Sequence, residues 1–494
     1  MENYRYERVK KICEDLGAMT ITQSIPVTQW QIKKGFFLTP QEAEESTTEW
    51  EVFNSKTDIW PGPDEHYWFR TTIEVPQSFN KRALWLNFVT QCTFWDAVNP
   101  QFLLFIDGVL TQGLDTNHQE VKVTDKAKAG DKIVVDLQAY TGRDNDHNQG
   151  ATDNLRLMAN IIEVDTKVTD LFYNIEVPNR IVSHLDKDNQ SRIKLQIALE
   201  KAINLLDLRT PYSKEFYESV DECNQFVSNE IYKKLAGNDD VIATCIGHTH
   251  IDIAWWWTVD QTREKVVRSF ATVLKYMDEY PDYKFMSSQP QLYKFVKDRY
   301  PEMYEQIKKR IKEGRWEVEG GMWVEADCNV TSGESLVRQF LHGKNFFKEE
   351  FDKDNKILWL PDVFGYSAAL PQILRKSGIE YFMTTKIAWN QFNKLPMDTF
   401  WWKGIDGTEV FTHLVTTQDV DQPKDSFYTT YNGKLDPICL MRAWERYQHK
   451  DINNDILVSY GWGDGGGGPT RGMIETGTRM EKGITGAPKV RLET

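Results

Sequence analysis

The sequence predicts an antiparallel β-sandwich, a helical linker region and an α/β domain built as an irregular seven-stranded parallel (β/α) barrel. Three observations predict it. Side chains alternate with period two between about residues 50 and 165; apolar residues recur three and four apart from about 189 to 236; beyond 241, short apolar runs alternate with amphipathic stretches. With 494 residues and 40% apolar side chains, the chain has material for two or three cores.

Residues 1–48 read as a helical and extended lead. From 49 to 188 the runs HYWFRTTIEV, RALWLNFV, QFLLFIDG, EVKVTD, DKIVVDLQAYTG and NLRLMANIIEV are punctuated by Asp-Gly, Pro and Asn, which is the grammar of a sandwich, here carbohydrate-binding-like. KLQIALEKAINLLDL and EFYESVDECNQFVSNEIYKKL make residues 189–240 a helical hairpin linker, closed by Gly237-Asn238-Asp239-Asp240. Residues 241–494 hold seven expected strands, VIATCI, YKFMSS, RWEVEGG, KILWL, EYFMTT, EVFTHL and DILVSYGW, with amphipathic helices between them. Repeated β-then-α units imply a parallel sheet, and reactive groups in such sheets gather in the loops after the strands' C-terminal ends.

A formal charge of -14 disfavours nucleic acid, whose binding is driven by Lys and Arg releasing counterions. The charged opening MENYRYERVKKICEDLG and the absence of any apolar run near the roughly 18 residues of a membrane span lead us to expect a cytoplasmic protein without a membrane partner. Six cysteines (Cys13, Cys92, Cys223, Cys245, Cys328, Cys439) form no CxxC pair and read as reduced thiols. Aromatic residues at 13% suit stacking on sugar rings, and equally suit ordinary packing.

GHTHIDIAWWW follows VIATCI directly. His250 and Asp252, two apart, project to one side of an extended segment, as does His248. Imidazole with carboxylate suits zinc or a similar divalent ion. A single histidine at a strand end is ordinarily a satisfied core residue; three ligand-type residues in HxHxD argue otherwise. In Trp255-Trp256-Trp257, packing and sugar contact compete evenly, with Trp255 the best placed to meet a sugar. In KILWLPDVFGYSAALPQIL the strand stops at Pro361 and presents Asp362 at the same rim. An Asp after Pro is commonly a turn former, but Trp359, Phe364 and Tyr366 crowd this one into a partly dry setting.

Four segments, GHTHIDIAW, EGGMWVEADCNVTSGESLVRQF, LPDVFGYSAALPQIL and GWGDGGGGPT, resemble the signature of glycoside hydrolase family 38 α-mannosidases, continuously from 241 to about 480. The β-rich N-terminal region resembles that of the family's cytosolic, broad-specificity branch. The resemblance implies a retaining α-mannosidase acting on α-mannoside oligosaccharides, with one divalent metal ion, zinc or else cobalt, held by His250, Asp252 and Asp362. It makes Asp362 the nucleophile as well, sets Trp255 and Phe364 against the sugar, and puts Lys386 near the site. A retaining enzyme needs a second carboxyl about 5 Å from the nucleophile, and Asp464 is the candidate general acid/base. Gly465 to Gly468 let backbone approach a ligand there, and GDGGGGPT lacks the Lys-Ser/Thr of a phosphate loop.

One departure stands out. Relatives complete the metal site with a second His in a segment resembling NQFHD; here only His413 and His449 follow Asp362, and neither stands in that motif. The expectation is therefore a chain without the family's C-terminal domains, inactive or nearly so, from an active full-length product. Two rivals compete: another metal-dependent carbohydrate hydrolase such as a polysaccharide deacetylase, with Asp362 as base, and a carbohydrate-binding fragment without activity. A homo-oligomeric state is left open.

Overall fold

The computed structural model describes residues 2–89, 99–143, 155–420, 422–423 and 426–494. Cys92 lies outside them; the five described cysteines are free and buried.

The first half opens with helix α1 (Glu2–Ala18) and strands β1 (Ile21–Pro26) and β2 (Gln29–Lys34), then the short helix α2 (Pro40–Glu45). Strands β3 (Glu51–Asn54), β4 (His66–Glu74), β5 (Leu84–Val89), β6 (Gln101–Ile106), β7 (Val109–Leu114), β8 (Glu120–Thr124), β9 (Lys132–Tyr140) and β10 (Met158–Val164) follow. They form two antiparallel sheets, ordered β1-β10-β5-β8 and β3-β2-β4-β9-β6-β7. One core, with Trp60, Phe69, Leu86, Phe88, Leu137 and Ile161, lies between them. Strands β1 and β2 come from the stretch read in sequence as a lead; their few residues and mixed polar faces leave little periodicity to detect.

Three helices follow: α3 (Thr166–His184), α4 (Gln190–Ile203) and α5 (Lys214–Glu230). Helix α3 precedes the helical region the pattern marks, and it carries Pro178 in its interior, which sequence reasoning takes as a break. Side chains of α1, α3, α4 and α5, among them Val9, Leu171, Leu199 and Phe216, share a core with Cys245, Val458 and Val490 of the second half. These helices thus cover a sheet.

The second half runs β11 (Ile242–Gly247), α6 (Val259–Glu279), β12 (Phe285–Ser287), α7 (Pro290–Arg299), α8 (Pro301–Lys312), β13 (Trp316–Val318), α9 (Gly333–Phe351), β14 (Ile357–Leu360), α10 (Leu370–Lys376), β15 (Tyr381–Thr384), β16 (Thr399–Lys403), β17 (Glu409–Leu414), α11 (Pro437–Arg446), β18 (Asp455–Tyr460), α12 (Arg471–Met480) and β19 (Lys489–Glu493). All seven runs read as strands are strands, and each pairs parallel with a neighbour.

The expected seven-stranded parallel barrel needs correcting. Ladders across the described residues are mostly antiparallel, and the parallel strands fall into three small sheets, β18-β11-β19, β12-β13 and β14-β15-β17-β16. Among the described residues only single bridges, His248 to Met286 and Gly320 to Leu358, join one of these sheets to the next. No ladder among the described residues joins β17 to β18. Strands β12 and β13 have three residues each, too few for a continuous ladder, while β16 is an antiparallel edge strand folded back through Asp406-Gly407. Even so, Ile246, Met286, Trp359 and Met383 of β11, β12, β14 and β15 meet Val415, the residue after β17, in one apolar cluster.

Candidate active site

The loop after β11 carries His250, 3% exposed, and its Nε2 is the centre of a ring of carboxylates. Asp252 Oδ1 lies 3.4 Å away, Asp362 Oδ2 3.4 Å and Asp464 Oδ1 3.9 Å. Asp362 arrives from the end of β14 and Asp464 from the end of β18, so three strand ends supply the cluster. Oxygens of Asp362 and Asp464 and a nitrogen of His250 all lie within 4.8 Å of one another. On its far side the imidazole presents Nδ1 to Glu325 Oε2 at 2.7 Å, too obliquely for a hydrogen bond. Tyr431 packs edge-on against the ring at 5.2 Å.

His248, of the same sequence motif, takes no part. Its Nε2 bonds the Tyr431 carbonyl at 2.9 Å and its ring meets Trp359. Burial, only partly opposed by that carbonyl, lowers its pKa to about 4, so it is a neutral structural histidine. His413 bonds Thr399 Oγ1, and His449 Nδ1 accepts from the Asp398 and Thr399 amides at 3.4 Å, so both serve a different cluster.

The carboxylates sit in unlike environments. Burial opposes ionisation of Asp362, but His250 and Lys386 outweigh it and hold the carboxyl below its usual value. Lys386 Nζ stands 2.7 Å from Asp362 Oδ1 and 3.6 Å from the centre of the Trp389 ring. Burial, reinforced by Asp362 and Asp252, raises Asp464 to about 7 against the pull of His250. Both oxygens of Asp464 accept hydrogen bonds, from Tyr431 Oη at 2.7 Å and Asn432 Nδ2 at 3.2 Å. Two carboxyl groups pushed in opposite directions are what acid/base chemistry requires.

The donor set fits a divalent cation. His250 Nε2 is buried and makes no hydrogen bond. Asp252 and Asp362 each stand 3.4 Å from it, a separation two ligands of one ion can have when its bonds are ~2.0–2.1 Å, the zinc–ligand length; the ligand atoms that all lie within 4.8 Å of one another are those of His250, Asp362 and Asp464, with Asp252 outside that group. Burial disfavours charge on the ring, yet Glu325, Asp252 and Asp362 raise its proton affinity well above the ordinary value. That negative field would serve a metal ion as well as a proton.

Of the aromatic triplet, Trp257 is buried, with Nε1 bonded to Thr262, whereas Trp255 and Trp256 are about half exposed. Phe364 is 76% exposed and lies 5.3 Å from Lys386 Nζ. Sequence reasoning missed Glu325, Tyr431 and Asn432. Glu325 stood inside a motif already singled out, among several other acidic residues; Tyr431 and Asn432 come from a segment with no periodic signal.

The family model described as the glycosyl hydrolases family 38 N-terminal domain matches residues 240–494, just over half of the chain. Alpha-mannosidase G of Dictyostelium discoideum is 34% identical over 442 residues, covering 87% of this chain and 38% of that protein. Alpha-mannosidase 2C1 of Homo sapiens is 31% identical, covering 86% and 40%. An alpha-mannosidase of Saccharomyces cerevisiae is 38% identical over 270 residues, covering 54% and 23%. The chain spans about two fifths of the length of the first two.

Proposed function

Because this chain belongs to glycoside hydrolase family 38, we propose that it is the catalytic part of an α-mannosidase releasing terminal α-linked mannose from oligosaccharides with retained anomeric configuration. The observation that carries the reading is the convergence of Asp252, Asp362 and Asp464 on His250 Nε2.

Asp362 is the nucleophile. Lys386 and His250 keep it ionised, and it attacks the anomeric carbon to form a glycosyl ester. Asp464 is the general acid/base: near neutrality it gives its proton to the departing glycosidic oxygen, then takes one from the water that cleaves the ester. Oxygens of the two lie within 4.8 Å, which favours the ~5–5.5 Å carboxyl spacing of retaining enzymes over the ~6.5–9.5 Å of inverting ones. His250, Asp252 and Asp362 would hold a divalent ion, zinc in preference to cobalt, which when bound supplies Lewis-acid polarisation and orientation of vicinal sugar hydroxyls. Trp255 and Phe364 offer exposed rings to the sugar's C–H faces. A cytoplasmic setting belongs to the proposal and is supported by the buried free thiols.

The test is hydrolysis of an aryl α-mannoside by the full-length protein with and without chelator, followed by trapping with a fluoro-mannosyl fluoride. Chelator-sensitive turnover and label on the peptide containing Asp362 are expected. Acetate release from an acetylated polysaccharide without a trapped peptide would overturn the reading.

A further inference from the structure

The loop bearing Asp464 is held from outside by the sandwich. Between Gly461 and Gly468 the backbone is left-handed at Gly461, Asp464, Gly465, Gly467 and Gly468. For Asp464, at φ 53°, that conformation persists only where the surroundings impose it. Within the loop, the Trp462 and Gly468 backbones pair, and the Gly466 amide bonds the Gly463 carbonyl at 2.8 Å.

The catalytic half ties it through the Gly463 amide on Asn432 Oδ1 (2.7 Å), the Gly465 amide on the His250 carbonyl (3.3 Å) and Thr249 Oγ1 on the Trp462 carbonyl (3.1 Å), and its other side is tied by the turn between β7 and β8. Asn117 Nδ2 donates to the Gly466 carbonyl at 3.0 Å, and His118 Nε2 meets the Pro469 carbonyl at 3.0 Å. Asp115 Oδ1 stiffens the turn, accepting from the Asn117 amide (2.7 Å), the His118 amide (2.9 Å) and His118 Nδ1 (2.9 Å). Both ring nitrogens of His118 face acceptors, so a doubly protonated ring donates to each, while a neutral one donates to one of them. The approach is tight: a Cβ on Gly467 would stand 2.5 Å from Asp115 Oδ2 and 2.6 Å from the His118 ring. Beneath Gly465 lies Lys265 of α6, whose Nζ reaches Gln101 of β6 at 3.3 Å. Asp115, His118, Gln101 and Lys265 are all 5% exposed or less.

We propose that the turn Asp115–His118 is a positioning element for Asp464, fixing the glycine-rich loop so that the carboxyl stands over the His250 cluster. The inference rests on the acid/base role given to Asp464 above. It makes the sandwich a part of the catalytic framework, where its sequence suggested only a sugar-binding module. Misplacement of a catalytic group by about 1 Å is enough to cost about 100-fold in rate.

Acid catalysis matters for a poor leaving group and little for a good one, which separates positioning from general damage. The full-length protein and its Asn117→Ala, Asn117→Asp, His118→Gln and Asp464→Asn variants are compared by kcat/KM on phenyl and dinitrophenyl α-mannosides, with metal content and melting temperature measured alongside. Asp464→Asn should lose the phenyl substrate and largely keep the dinitrophenyl one. The Asn117 and His118 variants should repeat that pattern at smaller amplitude, about 10-fold or more on the phenyl substrate. Asn117→Asp keeps the side chain's size while removing its donor, so it reads the contact even if Asn117→Ala fails to fold. Equal losses on both substrates, or none, while Asp464→Asn still discriminates, would overturn the positioning role. Failure of Asp464→Asn to discriminate would overturn the acid/base reading instead.

Discussion

At the scale of single residues, His250 is defined by its two nitrogens. Nε2 faces the carboxylate ring, and Nδ1 faces Glu325, which is 6% exposed in its side chain and anchored by Ser288 Oγ at 3.0 Å and by its own amide on Gln289 Oε1 at 3.1 Å. Across that 2.7 Å gap the Glu325 charge raises the ring's proton affinity without a hydrogen bond, and losing a carboxylate behind a metal-binding imidazole typically costs about 10- to 100-fold in metal affinity. Glu325→Gln should therefore bind Zn²⁺ weaker by about that factor in calorimetric titration, with the fold intact by circular dichroism; unchanged affinity would remove Glu325 from the site. The sequence made His250, Asp252, Asp362 and Lys386 legible because each stands just beyond an apolar run, where strand ends present side chains to a common face. Glu325 lies in an irregular stretch after β13, and nothing local separates it from Glu319 or Asp327. Tyr431 and Asn432 are placed by the Gly433–Tyr460 bridge, a contact between segments that no local pattern encodes.

At the scale of elements, strands announced themselves where one face is buried and stayed hidden where both are mixed. The runs of β11, β14, β15 and β18 are near-continuous apolar stretches, whereas β16 mixes half-buried and exposed positions and β19, KVRLE, interleaves charged residues with its two apolar ones. The turn between β7 and β8 was invisible for another reason: its value lies in what it touches. His118 there is fully buried, and burial disfavours its charge, but the Asp115 carboxylate and the Pro469 carbonyl outweigh that and raise its pKa above 6.5. Arg268, which also feels Asp115, and Tyr276, whose ring lies 6.2 Å from His118, complete its surroundings. A group whose folded-state value is raised stabilises fully below its unfolded value and loses that contribution as pH climbs through the folded one. The gap in melting temperature between the protein and His118→Gln should thus be widest below about pH 6.5 and narrow at higher pH. A gap that widens with pH would show the ring to be neutral.

At the scale of the whole molecule, the question is whether the sandwich and the catalytic half can unfold separately. Trp68, Leu103 and Phe105 of the sandwich lie in one apolar cluster with Val266, Phe270, Tyr293 and Trp316 of the second half. The seam is close as well as apolar: a Cβ on Gly113 of β7 would collide with the backbone of Arg268 on α6, and Thr272 Oγ1 of that helix donates to the Gly113 carbonyl at 3.1 Å. Helices α1, α3, α4 and α5 share a further core with β11, β18 and β19. Shared cores couple unfolding, because opening one half exposes apolar surface of the other at about 25 cal/mol per Å². Metal at the His250 cluster should then stabilise both halves together, by about 2.7 kcal/mol at a concentration of 100 Kd. Thermal unfolding followed separately by near-ultraviolet dichroism, by tryptophan fluorescence and by calorimetry should give one coincident transition, moved upward by Zn²⁺ and back by chelator. Asp252→Asn should blunt the shift without splitting the transition. Two transitions, with only the later-sequence half responding to metal, would show that the seam is too weak for the sandwich to hold the Asp464 loop in place.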